Sequence, residues 1–259
     1  MACQMPTICN DVYPGSPVRL LSAVVFSICA THGQIYTIHT AAGGGLPENT
    51  TCTAADLHET VVGLAADAAG NLYIPVYQDN IVVRCDASTG VLTRVAGTGA
   101  AGFSNGENVP ATSVRMTSPV AVAVDPSGNL YIAEGGRVRK VANGIVTTVA
   151  GMGIKGFSGD GGPATSAQVD PLALTVDAFG NVYIADNSNR IRKVANGIIT
   201  TVAGDGALQA TGDNGPAASA GIGYPSGIAV DSAGNLFIAD AKNGRVRKVA
   251  AGIITTVTM

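Results

Sequence analysis

Leu172-Ala173-Leu174-Thr175-Val176-Asp177-Ala178-Phe179-Gly180-Asn181-Val182-Tyr183-Ile184-Ala185 decides the fold. Two short apolar runs, 172–176 and 182–185, flank a four-residue turn. The leading Asp177 can accept a backbone N–H across that turn, and Gly180 tolerates the left-handed backbone that closes it. A second turn follows at 186–189, then a third strand at 191–194. Asn196-Gly197 is a strong two-residue hairpin signal, and 198–203 reads as the fourth strand. The unit is one four-stranded antiparallel sheet.

Working outward, the same phrase recurs three times. It stands as Asp67-Ala68-Ala69-Gly70-Asn71-Leu72-Tyr73-Ile74, as Asp125-Pro126-Ser127-Gly128-Asn129-Leu130-Tyr131-Ile132 and as Asp231-Ser232-Ala233-Gly234-Asn235-Leu236-Phe237-Ile238. The four glycines are 58, 52 and 54 residues apart. A second phrase follows three copies: Arg137-Val138-Arg139-Lys140-Val141, Arg190-Ile191-Arg192-Lys193-Val194 and Arg245-Val246-Arg247-Lys248-Val249. The first copy is degenerate there, with Ile81-Val82-Val83-Arg84-Cys85. One four-stranded sheet per repeat, at this period, is the arithmetic of a β-propeller blade.

Composition agrees with a compact, turn-rich, all-β chain. Of 259 residues, 34 are glycine, 46% are hydrophobic and only 13% are charged. Disorder needs the reverse balance, and a helical bundle needs more charge. The formal charge of −3 and the absence of Trp argue against nucleic acid as a partner, since phosphate contacts require a basic face. No CxxC spacing or phosphate loop occurs.

The phrase P-x-G-I-A-V-D-x-x-G-N-L-Y-I-A-D-x-x-N-x-R-I-R-K-V resembles the NHL-repeat family of β-propellers. The loop Gly156-Phe157-Ser158-Gly159-Asp160-Gly161-Gly162-Pro163-Ala164-Thr165 resembles the linker of its longer subtype, of about 54 residues, found in extracellular and cell-surface proteins. The resemblance covers 60–258 well and 1–59 poorly. It implies a single propeller domain over 1–259, with a degenerate N-terminal blade and linker at 1–59. Units follow at 60–116, 117–170, 171–224 and 225–259. That is about five blades, four of them clear. NHL propellers usually have six, so the ring is five-bladed, or the chain is a fragment, or a partner chain completes it. In the worn blade, 24–30 and 33–38 read as a third and a fourth strand.

Each candidate site has a structural reading beside it. Asp67, Asp125, Asp177 and Asp231 recur once per blade and read as turn caps. Glu134, Asp186 and Asp240 end the second strand where Arg137, Arg190 and Arg245 open the third, which reads as cross-hairpin ion pairing. Tyr73, Tyr131, Tyr183 and Phe237 share one repeat position and read as inter-blade packing. The linker residues Phe103, Ser104, Phe157, Ser158, Asp160 and Asp213 are the candidates for facing a partner, because loops carry most sites on a rigid scaffold. Otherwise they are inter-blade connectors packed by Phe and Ala.

The cysteines Cys3, Cys9, Cys29, Cys52 and Cys85 read as one or two local disulfides with a thiol left over, or as buried thiols. Asn49-Thr50-Thr51 is a glycosylation sequon. The run 20–30 resembles a signal-peptide core but is too short for a membrane span, and reads as a buried β segment. His32, His39 and His58 are the three histidines, all outside the well-matched repeats.

The functional reading is a non-catalytic extracellular or cell-surface module that binds protein. It uses no cofactor and no metal. Mean hydropathy of +0.30 favours self-association into an oligomer or fibre. The alternatives are a lyase or hydrolase acting on carbohydrate or peptide in the propeller funnel, and an adhesion or sensor domain cut from a larger protein.

Overall fold

The computed structural model describes residues 50–52, 57, 63–104 and 106–257. They form four antiparallel sheets in chain order. Blade 1 holds β1 (Thr50–Thr51), β2 (Ala65–Ala66), β3 (Leu72–Val76), β4 (Ile81–Cys85) and β5 (Val91–Ala96). Blade 2 holds β6 (Val109–Pro110), β7 (Ala121–Val124), β8 (Leu130–Glu134), β9 (Arg137–Ala142) and β10 (Ile145–Ala150). Blade 3 holds β11 (Pro171–Val176), β12 (Val182–Asp186), β13 (Arg190–Ala195) and β14 (Ile198–Ala203). Blade 4 holds β15 (Gly215–Pro216), β16 (Pro225–Val230), β17 (Leu236–Asp240), β18 (Arg245–Ala250) and β19 (Ile253–Val257). The four-stranded blade expected from the repeat is present four times. The worn strands expected at 24–30 and 33–38, and the run 20–30, lie outside the described residues.

The linkers do more than connect. Three sheets gain a fifth, two-residue outer strand from the segment that precedes the blade: β1 on β5, β6 on β10 and β15 on β19. In blade 3 the equivalent contact is a single bridge, Pro163 to Ile198. Each linker to blades 2, 3 and 4 then makes one 3-10 turn, at Ala111–Ser113, Ala164–Ser166 and Ala217–Ser219. The first alanine of each turn is buried.

Every blade has two apolar faces. Between consecutive blades, the outgoing face of one meets the incoming face of the next. Between blades 2 and 3, Tyr131, Ala133 and Val138 pack against Leu174, Val182 and Ile184, with Ala164, Ala167 and Val169 of the linker between them. The same layering joins blade 1 to blade 2, and blade 3 to blade 4. Burial of the Val, Leu and Ile side chains contributes about 1.5–3 kcal/mol each, and the core is a series of inter-blade layers.

The turns follow the sequence phrase. Asp125 Oδ1 accepts from the backbone N–H groups of Ser127 and Asn129, and its Oδ2 accepts from Asn129 Nδ2 at 2.7 Å and Tyr131 Oη at 3.2 Å. Asp67 and Asp177 repeat all four bonds. Asp231 repeats three, because Phe237 has no hydroxyl. Glycine is required most strictly where a linker leaves a blade. Gly151 has φ +86°, and a Cβ there would sit 2.2 Å from the Gly136 carbonyl oxygen.

Candidate functional site

The polar centre of blades 2, 3 and 4 is a buried arginine on the third strand. Arg139, Arg192 and Arg247 are among the largest fully buried side chains in the described structure. Each reaches outward to clasp the linker that precedes its own blade. Arg192 Nε donates to Asp160 Oδ1 at 3.0 Å, and Nη2 donates to the Ser158 carbonyl at 3.0 Å. Arg247 Nη2 donates to Asp213 Oδ1 at 2.8 Å and to the Thr211 carbonyl at 3.1 Å, while Nη1 donates to the Gly221 carbonyl. Arg139 Nη2 donates to the Gly106 carbonyl at 2.6 Å, with Glu107 3.5 Å away. The linker carboxylates are held a second time by the fourth strand: Thr201 and Thr256 donate to Asp160 and Asp213 at 2.6 Å, and the Thr148 hydroxyl donates to Glu107.

This corrects the expected cross-hairpin ion pairs. Glu134 and Arg137, Asp186 and Arg190, and Asp240 and Arg245 are register partners as anticipated. Yet the carboxylates turn inward, with Glu134, Asp186 and Asp240 at most 1% exposed. Glu134 and Asp240 face the arginine two residues further on, Arg139 at 3.6 Å and Arg247 at 3.7 Å. Each accepts a backbone N–H, from Thr117 to Glu134, Asp170 to Asp186 and Gly223 to Asp240, and Asp240 Oδ1 also accepts from Asn243 Nδ2 at 2.6 Å. Burial pushes the Glu134 carboxyl above its ordinary range, against the pull of the Thr117 N–H and the arginines. Two of the outer arginines stack on linker rings: Arg137 lies 5.0 Å from the Phe103 ring centroid and Arg190 4.0 Å from that of Phe157.

The turn aspartates are structural groups with perturbed titration. Burial pushes Asp125 and Asp177 up, but the asparagine side chains and backbone N–H donors outweigh it and leave both below the usual carboxylate range. Burial, then the charge of Asp125, pushes the Tyr131 hydroxyl up to about 12. Tyr73, Tyr131 and Tyr183 are buried between blades, as their position in the repeat suggests.

Of the six linker candidates, four are engaged within the fold. The Ser104 and Ser158 carbonyls accept from arginines, and Asp160 and Asp213 complete the clasps. Phe103 and Phe157 keep one ring face outward, at 48% and 40% exposure. They stand at the end of the blades where linkers meet the turns between second and third strands. Tyr77, Ile154, Leu208 and Tyr224 stand there too, all exposed. Tyr77 belongs to the turn after β3. Ile154 lies against Gly136, the Leu208 carbonyl accepts from Asn243 Nδ2, and the Tyr224 N–H donates to Asn189 Oδ1. The four added residues lack a repeat position of their own, so the repeat phrase does not single them out.

Cys52 and Cys85 form a disulfide, with Cα atoms 5.7 Å apart. Cys3, Cys9, Cys29, the sequon residue Asn49 and the histidines His32, His39 and His58 lie outside the described residues. Among the described residues, no three His, Cys, Asp or Glu side chains gather as a metal site, and no helix is long and apolar enough to cross a membrane.

The NHL repeat family matches residues 223–249. Mouse Teneurin-1 is 29% identical over 216 residues, which is 73% of this chain and 8% of that protein. Human Teneurin-4 is 29% identical over 213 residues, 71% of this chain and 8% of that protein. The chain therefore spans under a tenth of the length of these relatives. Among solved structures, an auxiliary nutrient binding protein from Bacteroides thetaiotaomicron superposes with TM-score 0.56 at 19% identity, over 76% of this chain and 49% of that one. A streptogramin B lyase superposes with TM-score 0.51 at 14% identity, over 77% and 54%. At those identities the structural likenesses show the fold alone.

Proposed function

We propose that this chain, an NHL-repeat β-propeller, works as a non-catalytic interaction module outside the cell, binding protein through the apolar rim at one end of its blades. The observation that carries this reading is the rim itself. Tyr77, Phe103, Ile154, Phe157, Leu208 and Tyr224 are each 39–51% exposed and spread across all four blades. Most polar side chains that recur from blade to blade are spent on turns and clasps. Aromatic and aliphatic groups held on a rigid frame suit protein recognition, because little side-chain freedom is lost on contact. The arginine stacks hold Phe103 and Phe157 in place before any partner arrives. The Cys52–Cys85 disulfide supports an oxidising compartment. The partner is a second copy of the chain, in line with its high mean hydropathy. The lyase and hydrolase alternatives gain no support from a likeness that extends to fold only.

Sedimentation velocity at rising protein concentration tests this. The unaltered chain is expected to associate, and Phe103→Asp with Phe157→Asp is expected to keep it monomeric with an unchanged far-UV CD spectrum. A chain that stays monomeric at its solubility limit, or a double variant that associates equally well, rejects the rim as the contact surface.

A further inference from the structure

The rim occupies one end of the blades. The opposite end, formed by the turns between first and second strands and the hairpins between third and fourth, carries a second set of exposed apolar side chains. Phe179 sits in the blade 3 turn and is 91% exposed, more than any other large hydrophobic side chain among the described residues. Blades 1, 2 and 4 have Ala69, Ser127 and Ala233 at that position. The turn does not need the ring, because its aspartate accepts the backbone N–H of this residue at 3.0 Å in all four blades. Blades 2, 3 and 4 each add an isoleucine at the start of the fourth strand, and Ile145, Ile198 and Ile253 are 38–43% exposed. An exposed linker proline stands directly opposite each: Pro110, Pro163 and Pro216. Opposed residues on paired strands project to the same side, so each of these blades shows an apolar step beside its hairpin.

Charge distinguishes the two ends. At the rim, Arg137, Arg190 and Arg245 open the third strands, with Lys155 and Lys242 in the linker and turn beside them. A rim laid on a second rim opposes these cations to one another. The turn end carries one carboxylate per blade, Asp67, Asp125, Asp177 and Asp231. Its lysines are drawn back over rings: the Lys140, Lys193 and Lys248 ammonium groups lie 5.3, 5.2 and 5.6 Å from the ring centroids of Tyr131, Tyr183 and Phe237. Asp86, in the blade 1 hairpin, is paired with Arg84. The turn end therefore receives a basic rim without like-charge repulsion.

Taking the rim as one contact surface, the reading on which this step rests, we propose that it seats on the turn end of a second copy, so that copies join head to tail. A rim-to-rim contact is isologous and stops at a dimer. A rim-to-turn-end contact is heterologous, and every assembly of copies keeps one live rim and one live turn end until a ring closes or a filament grows. Phe179 is the anchor of the turn end: an aromatic ring on a backbone already fixed by Asp177, with almost none of its surface used by its own fold.

Two variants, each disabled at one end, test this by sedimentation velocity. Phe103→Asp with Phe157→Asp disables the rim, and Phe179→Asp with Ile198→Asp disables the turn end. The unaltered chain is expected to form species that grow past the dimer as its concentration rises. Each double variant alone is expected to be monomeric. Their equimolar mixture is expected to give a species of about twice the monomer mass and nothing larger, because one live rim meets one live turn end. Far-UV CD checks that both variants fold. Phe179→Ser with Ile198→Thr, a milder pair that borrows the blade 2 serine, replaces the acidic pair if that pair unfolds, with the same expectation. A turn-end variant that dimerises by itself overturns the proposal and leaves the rim standing as an isologous contact. A rim variant that associates by itself overturns the rim reading and the proposal together. A mixture that stays monomeric while the unaltered chain associates overturns the head-to-tail contact.

Discussion

Replacing Arg192 with methionine tests whether the buried arginine is what fastens a linker to its blade. Methionine keeps most of the length and removes the charge. The change deletes two hydrogen bonds at 3.0 Å, to Asp160 and to the Ser158 carbonyl, and the ion pair of 2.7 Å with Asp160. Hydrogen bonds to a charged group contribute roughly 1.5–3 kcal/mol each, an upper sum of about 3–6 kcal/mol. Asp160 is 36% exposed, so it regains water when the arginine goes, and it keeps its bond from Thr201. The guanidinium, at 0% exposure, carries the larger desolvation cost, and that cost disappears with it. The net loss is therefore expected near the lower bound, about 3 kcal/mol, which for a domain of this size lowers Tm by about 6–12 °C.

The variant is expected to fold, because blade 1 carries an aliphatic residue at the same register. Ile74 pairs with Val83 where Ile184 pairs with Arg192. Thermal unfolding by CD gives the stability, and hydrogen exchange of the 152–168 amides reports on the linker. Asp160→Asn serves as the control, with an expected loss of about 0.2–1 kcal/mol, as for an exposed partner. A loss below about 0.5 kcal/mol for Arg192→Met, with linker exchange unchanged, refutes the clasp.

Other perturbations probe the disulfide, a hairpin and a buried carboxyl. Cys52→Ser with Cys85→Ser opens a loop of sequence separation 33 and is expected to cost about 3–4 kcal/mol in chemical denaturation, against no change if the bond does not form in solution. Ala251→Asn is expected to stabilise by about 1 kcal/mol in thermal unfolding: Ala251 holds φ +47° in a hairpin turn where Asn143 and Asn196 hold φ +50° and +51° at equivalent positions. Glu134 has a raised folded pKa, so its contribution favours folding below the unfolded value of about 4.3 and declines as pH rises through the folded value. Asp125 and Asp177, both lowered, act in the opposite sense and lose their contribution as pH falls. Glu134→Gln is expected to remove the decline with rising pH in urea titrations; an unchanged profile rejects the assignment.

The repeat phrase reveals the blade because its turns are local. Asp177, Gly180 and Asn181 satisfy one another within five residues, and Asn196-Gly197 needs only its own backbone. Strand limits in blade 3 fall within one residue of those observed for the same reason. The clasp is hidden. Arg190, Arg192 and Lys193 look alike as letters, and alternation in a strand separates water from core only when one face of the sheet is wet. A blade packed on both faces has no wet face. Arg192 is buried because a linker residue 32 positions earlier returns to meet it, a contact that no strand pattern encodes. The rim escapes notice on similar grounds: Ile154, Leu208 and Tyr224 occupy unrelated repeat positions and converge only when linkers fold over the turns.

Blade 1 shows what the arginine is for. It has Val83 where the later blades have Arg139, Arg192 and Arg247, and Arg94 pairs with Val83 where Thr148 and Thr201 pair with those arginines. Neither half of the clasp is available there. Blade 1 nevertheless holds an outer strand, β1, against β5. The disulfide supplies the fastening: Cys52 directly follows β1, Cys85 ends β4, and the bond spans β5 between them. A covalent bridge and a buried arginine thus meet the same need, which is to hold the incoming linker on the far side of the fourth strand. On that equivalence, losing the disulfide and losing Arg192 are expected to cost similar amounts, and each is expected to loosen only the linker of its own blade.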